Sequence, residues 1–522
     1  MGNMNRAPMK VGGPPEQRVL KIGRNVSEPG AHGQWEKTEA TRYLCASAYL
    51  SRTFRNSAIR SLLEDKHHAL AMSYGIEPVT VLKHCLIARH LSRTRDLLLL
   101  IPAFLVLLGL WSSAAAGPGG LDLFPVLALL AVVVAFAVIS WEQWKIEFQI
   151  VRNNFTKKRF EPGAFSRGFS MEEEQAFREV DAAQKANVMI YGAFSPFVGC
   201  GNNIGSWSVA VDLAKGKDDV GGYLQPKSFQ VKELYDEINR TLRGLEFPNC
   251  SVEDKVCVSG LDIRGDDKFL PDLMGRPQIH VEPSAIEAYV THPSFQARHY
   301  QTFRLVDWSG ELVLTAFLRA AKTGHNLFIE ASYCLLVPVD ENHRRVDSMN
   351  PVPGWRDWLR LLSASAMKTA FIWLVWPFYM LDLMLHPLHH WQHEREVRRM
   401  IRENPAFNHG ASTSLRESAC ISNFYRRYFQ KLDKEMYMKT LESQILNCAV
   451  EFLDAHNVDT SDLKEAQTRI INSGIIVTGG SSVDANTLAV GHGSTAVGEQ
   501  SPDKGAIKLI RGLTRRVAAG KH

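Results

Sequence analysis

The chain has 522 residues, 45% of them hydrophobic and 22% charged, enough for more than one buried core and too apolar for a disordered polymer. Its net charge of +5 is unevenly placed: residues 1–96 hold 15 Lys+Arg against 8 Asp+Glu, a net +7, so the remainder sums to −2. Basic character confined to one end argues for anionic lipid headgroups and against a nucleic-acid partner.

Residues 1–38, with Gly12-Gly-Pro-Pro15 and Ser27-Glu-Pro-Gly30, read as a flexible tail without the apolar stretch of a secretory signal. Residues 39–96 form a helical segment: Tyr43, Leu44, Tyr49, Leu50, Ile59, Leu62 and Leu63 recur at helical intervals, and Val79, Leu82 and Leu86 follow Pro78. Residues 97–141 then hold two runs without an ionisable side chain, Leu97–Ala116 and Leu123–Trp141, separated by Gly117–Asp122. At 1.5 Å per residue each run covers roughly 30 Å, the thickness of a hydrocarbon core, so a transmembrane helical hairpin is expected. Lys83, Arg89, Arg93 and Arg95 precede it, and Lys145, Arg152, Lys157, Lys158 and Arg159 follow it. The connecting turn has neither Lys nor Arg. Both termini are therefore expected on the cytoplasmic side of the inner (plasma) membrane. Eight cysteines without a C-x-x-C pair read as free thiols of a reducing compartment.

Residues 142–185 read as a juxtamembrane linker and an acidic helix, Met171–Lys185. Residues 186–350 change to a mixed pattern. Asn187–Tyr191, Ser206–Leu213 and Val256–Ile263 read as strands, and Ser228 opens a helix with the stripe Val231, Leu234, Ile238, Leu242 and Leu245. Tyr300–Asp307, Glu311–Arg319 and Leu327–Val337, joined at Ser309-Gly310 and Thr323-Gly324, predict an antiparallel meander. The fold class expected is α+β.

Residues 351–403 are rich in tryptophan around the apolar run Thr369–Leu381, which contains Pro377 and is too short to cross a bilayer. An interfacial or re-entrant helix is the expectation, with a buried core helix or a third span as alternatives. Residues 404–470 are helical again, with a capping box at Ser414-x-x-Glu417 and an apolar face through Ile421, Phe424, Tyr428, Leu432 and Met436. Residues 471–522 form a Gly-rich tail with short β character, and its unpaired edges point to self-association by strand addition.

Three groups are candidates for chemistry. Gly199, Gly201 and Gly205 offer backbone N–H groups to an anion, but a strand follows them where a phosphate loop needs a helix, and no Lys-Ser or Lys-Thr follows. A Gly-rich turn is the competing reading. Asp262 and Asp266 flank Gly265 in a pattern that serves acid–base or cation chemistry, or simply a turn. His386, His389, His390 and His393 fall on one helical face, which suits zinc, although no Cys lies nearby and Val397 stands where a metalloprotease would place its second histidine. No metal and no cofactor is expected.

Arg42-Tyr-Leu-Cys-Ala-Ser-Ala-Tyr49, Phe194-Ser-Pro-Phe-Val-Gly199 with Trp207 and Asp212-Leu213, and Val458-Asp-Thr-Ser-Asp-Leu463 together resemble an uncharacterised group of two-span membrane proteins from filamentous, high-GC bacteria. The resemblance implies the anchor and the α+β domain, without functional residues. The expected function is a membrane-anchored cytoplasmic binding or scaffold protein, with the bilayer and further copies of itself as partners. The rivals are an enzyme acting on a nucleotide or membrane-proximal substrate through residues 194–207 and Asp262/Asp266, and a membrane-perturbing effector using residues 369–381.

Overall fold

The computed structural model describes residues 35–472 apart from 116–121, 164–167, 220–221, 246, 248, 292–293, 295 and 421–424. Most of the expected N-terminal tail and nearly all of the Gly-rich C-terminal tail lie outside the described residues.

A helical layer comes first. In α1 (Glu39–Leu50) and α2 (Arg52–Ile59) a single residue serves both ends: Ser51 donates its N–H to Ser47, closing α1, and accepts from the Phe54 N–H through its hydroxyl, opening α2. A π-helical turn over Arg60–Glu64 follows, and α3 (Pro78–Leu98) starts with proline, whose missing N–H costs nothing in a first turn. These helices share a core through Leu44, Cys45, Ile59, Leu82 and Cys85 with α7 (Met171–Gln184), which a Ser170–Glu173 capping box opens.

Between α3 and α7 stands the helical pair. α4 (Leu100–Ala115) and α5 (Phe124–Trp144) occupy the two uncharged runs, and they belong to helical stretches of 38 and 31 residues, long and apolar enough to cross a membrane. Gly109 lets them approach closely, since a Cβ there would lie 3.1 Å from the Phe124 ring. Ala131, Ala135 and Ile139 form a buried seam along α5, whereas Leu107, Val126 and Leu129 stand exposed. At the foot of the pair Arg95 binds Asp96 (2.6 Å) and Glu142 (2.9 Å), joining α3 to α5. A π-helical turn (Lys145–Val151) and α6 (Arg152–Asn154) lead away.

The sheet confirms a mixed α+β chain. Its six strands run in the order β1 (Val188–Tyr191), β5 (Cys250–Ser259), β6 (Ala297–Asp307), β7 (Leu312–Thr323), β8 (Asn326–Leu336) and β2 (Asn202–Asp212). Only β1 and β5 are parallel. β5 to β8 form an antiparallel meander that contains the three strands anticipated from sequence, and β2 returns against β8 with an irregularity between Asn203 and Gly205. A small ribbon, β3 (Asp218–Asp219) and β4 (Gly222–Tyr223), stands apart. One face of the sheet is covered by α8 (Val231–Arg243) and α12 (Tyr428–Ala455), the other by Met72, Tyr74, Phe197 and Phe269. The residue that caps α8 is Gln230, not Ser228: the Gln230 N–H donates to the Glu233 carboxylate, and the Glu233 N–H donates to the Gln230 carbonyl. α9 (Pro283–Thr291) packs beside β6.

Two departures from the sequence pattern concern the C-terminal helices. The apolar run Thr369–Leu381 belongs to one helix of 49 residues, α10 (Trp355–Glu403), and Pro377 does not end it. Both ends are held: Arg152 donates to Asp357 (3.1 Å) in the first turn, and Arg264 donates to the carbonyls of Ile401 (3.1 Å) and Asn404 (2.9 Å) at the last. The Ser414–Glu417 capping box is present but opens only the short α11 (Leu415–Ser418). In α12 the buried face runs through Gln430, Lys434, Tyr437, Leu441, Ile445 and Leu453, and its apolar part, from Tyr437, packs into the core on the sheet. Tyr428, Leu432 and Met436 lie off that face and are exposed; Ile421 and Phe424 lie outside the described residues. α13 (Ser461–Asn472) closes the described chain against α12 and β2.

Candidate functional site

The short segment Ser61–His68 is a wall between two cavities. Its conformation is set locally: Asp65 ends the π-helical turn, and its carboxylate accepts the His67 and His68 N–H groups and the His68 imidazole. Glu64, Lys66 and His67 therefore face one side, and Ser61, Asp65 and His68 face the other.

The larger cavity, about 660 Å³, is bordered by α3, α7 and α10. Arg89 and Arg93 reach it from the last turns of α3, Glu172, Glu173 and Glu179 from α7, and Glu394 and Arg398 from α10. Five cations (Lys66, Arg89, Arg93, Arg276 and Arg398) balance five carboxylates (Glu64, Glu172, Glu173, Glu179 and Glu394). Several are paired across its wall: Arg89 with Glu64 (2.8 Å), Arg276 with Glu179 (3.0 Å), and Glu394 with both His67 (3.1 Å) and Arg398 (2.9 Å). Partial burial opposes ionisation of Glu394, but the Arg398 and His67 contacts outweigh it and hold its carboxyl below the ordinary value. Ligand sites of this volume are usually apolar. This one carries charges of both signs beside Leu63, Ala176 and Met274, and suits a small group that is itself charged with both signs.

The smaller cavity, about 290 Å³, is lined by Asp65, His68, Ser412 and Thr413 beside the backbone of Gly192 and Gly410. The His68 Nδ1 lies 2.9 Å from Asp65 Oδ2. Burial alone would raise the Asp65 pKa, but the His68 contact and the two backbone N–H bonds hold it at about 2.

The residues singled out from sequence are placed elsewhere, and none of the glycines or aspartates lines either cavity. Gly199 and Gly201 are turn residues with φ of +86° and +85° leading into β2; a Cβ would lie 2.4 Å from the Met72 carbonyl oxygen at the first and 2.2 Å from that of Leu335 at the second. The Gly199 N–H, which would meet an anion, donates to Glu417 Oε2 (3.0 Å), and the same carboxylate accepts from Ser414 N–H (3.3 Å). Gly205 sits within β2, its N–H bonded to the Asn203 side chain. Asp266 shapes a turn by accepting the Lys268 N–H (3.0 Å), and Asp262 donates its own N–H to Ser259. The run His386, His389, His390 and His393 is helical, part of α10; His393 is exposed, and the other three side chains lie outside the described residues. Among the described residues no group of three His, Cys, Asp or Glu is placed to hold a metal ion. The cavity residues carried one sequence signal, Arg89 and Arg93 one helical turn apart before the first apolar run. Nothing in the sequence brings Arg276 or Arg398 to them.

Residues 206–484 match the model of the AbeC-like domain, just over half of the chain. The chain belongs to that family. The match takes in the sheet from β2 onward together with α8 to α13, and leaves the helical pair outside. No curated protein and no solved structure matches the chain.

Proposed function

We propose that this AbeC-like chain is a membrane-anchored binding protein, held by α4 and α5 with both termini on the cytoplasmic side, whose charged cavity beneath the anchor receives a ligand. The observation that carries this reading is how uncovered the pair is: within the most apolar windows of the two long helices only 17% of residues are buried by the protein itself. Apolar helices so exposed favour transfer into hydrocarbon over water. The basic flanks give the orientation. Kinship to two-span proteins of high-GC filamentous bacteria is part of the same proposal. Self-association through residues 471–522 is not needed for it.

The full chain, expressed in a bacterial host, should stay in the membrane fraction through alkaline carbonate washing and leave it only with detergent. Leu107→Arg combined with Leu129→Arg, both on exposed positions, adds about 2.5–3.5 kcal/mol of insertion cost per residue and should release the protein or abolish its accumulation. Wild-type protein in the supernatant without detergent would overturn the anchor.

A further inference from the structure

The charged cavity has a definite depth relative to the proposed anchor. Arg93 and Arg89 precede Leu97, the first residue of the apolar run, by four and eight positions. Along an unbroken helix that is roughly 6 and 12 Å. The headgroup layer is about 5–8 Å deep on each side of the hydrocarbon. One wall of the cavity thus begins at headgroup level and continues just below it.

The lining chemistry narrows the ligand. A purely anionic group would face five carboxylates as well as five cations, and a purely cationic one the reverse. Arg89, Arg276 and Arg398 are already engaged by Glu64, Glu179 and Glu394. Lys66 and Glu172, by contrast, have no ion-pair partner among the described residues, although both border the space and both are exposed. A point-charge ammonium suits a phosphate oxygen, and a carboxylate suits a primary ammonium.

We propose that this cavity binds a zwitterionic phosphate ester bearing a primary ammonium, the chemistry of a phosphoethanolamine headgroup, with Lys66 on the phosphate and Glu172 on the ammonium. As a lipid site it rests on the membrane-anchored reading, because the depth of Arg93 is meaningful only if the helical pair is inserted. The chemistry of the lining does not depend on insertion.

The test uses the full chain in detergent micelles, titrated with short-chain phosphatidylethanolamine, short-chain phosphatidylglycerol and free phosphoethanolamine, with affinity read from thermal stabilisation. Phosphatidylethanolamine should bind at least tenfold more tightly than phosphatidylglycerol. Lys66→Ala and Glu172→Gln should each weaken it about fivefold or more while far-UV circular dichroism stays as in wild type, since both side chains are exposed. Free phosphoethanolamine binding as tightly as the lipid supports the same chemistry with a soluble source; weak binding of the free group supports the lipid source. Equal affinity for the two lipids, or wild-type affinity in both variants, overturns the site. Because carbonate extraction tests the anchor separately, a protein that stays in membranes yet ignores these ligands loses this proposal alone.

Discussion

The sheet and the helical pair handle charge in opposite ways. Inside the sheet, charge is buried around a shared partner: Lys255 and Arg304 are almost fully enclosed, both held by Glu253, and the Arg304 guanidinium also stacks on the Tyr74 ring. Along α4 and α5 charge is absent for two full spans and then gathers at the foot, where Arg95, Asp96 and Glu142 lock the helices together. A self-covering core can enclose a cation because neighbouring strands supply a fixed carboxylate. A helix facing hydrocarbon has no such neighbour, so its ionic contacts are displaced to the boundary.

Glu253 is where the sheet's half of this contrast breaks most easily. Glu253→Gln would leave Lys255 and Arg304 buried without a counter-charge, and a loss of about 3–5 kcal/mol is expected in chemical unfolding. Acid probes the same contact. Burial opposes ionisation of Glu253, but Arg304 and Lys255 outweigh it and lower its pKa from 4.5 to about 2. A lowered folded-state pKa means stability is fully present above pH 4.5 and is lost as pH falls toward about 2. That fall is worth about 3 kcal/mol at 1.36 kcal/mol per pH unit, and Glu253→Gln should flatten it. An unchanged acid limb in the variant would show that the carboxylate is not matched to its cations as the structure has it.

The helical pair should answer to bulk. Gly109→Leu drives a side chain into the Phe124 ring, already 3.1 Å from a modest Cβ, and overpacking of this kind costs about 1–3 kcal/mol. Melting in detergent should fall by that amount while the acid limb assigned to Glu253 keeps its shape. A melting point equal to wild type would mean that α4 and α5 do not depend on this close approach.

What could be read from the residues follows the same division. Periodicity is a local signal, so the two apolar runs, the meander from Tyr300 to Val337 and the stripe on α8 were legible. Residue type at a distance is not local. The Gly199–Gly205 stretch resembles an anion loop because Gly199 and Gly201 are real turn glycines, yet the carboxylate that meets the Gly199 N–H is Glu417, more than two hundred residues away. The apolar positions Tyr428, Leu432 and Met436 have helical spacing, but whether such a stripe is buried depends on which face of α12 is turned inward, and that face carries Gln430, Lys434, Tyr437 and Leu441 instead. The cavity was hardest to see, because its lining comes from the 61–68 wall, α3, α7, the loop at Arg276 and α10, and each element contributes charges that would pass for ordinary surface alone.

The smallest effect separates a turn from a ligand site at Asp262 and Asp266. Arg264, between them, donates its guanidinium to the last carbonyls of α10. Satisfying helix-terminal carbonyls with a cation contributes about 0.3–1 kcal/mol. Arg264→Ala should therefore lower global stability by no more than about 1 kcal/mol, while hydrogen exchange quickens at the end of α10 near Ile401, whose carbonyl Arg264 holds. A change limited to the Asp262–Asp266 turn, with the helix end protected as before, would instead assign Arg264 to the carboxylates beside it and return that turn to the list of binding candidates. Fraying at Ile401 would show that the sheet side of the molecule holds α10 at this end, as Arg152 does at the other.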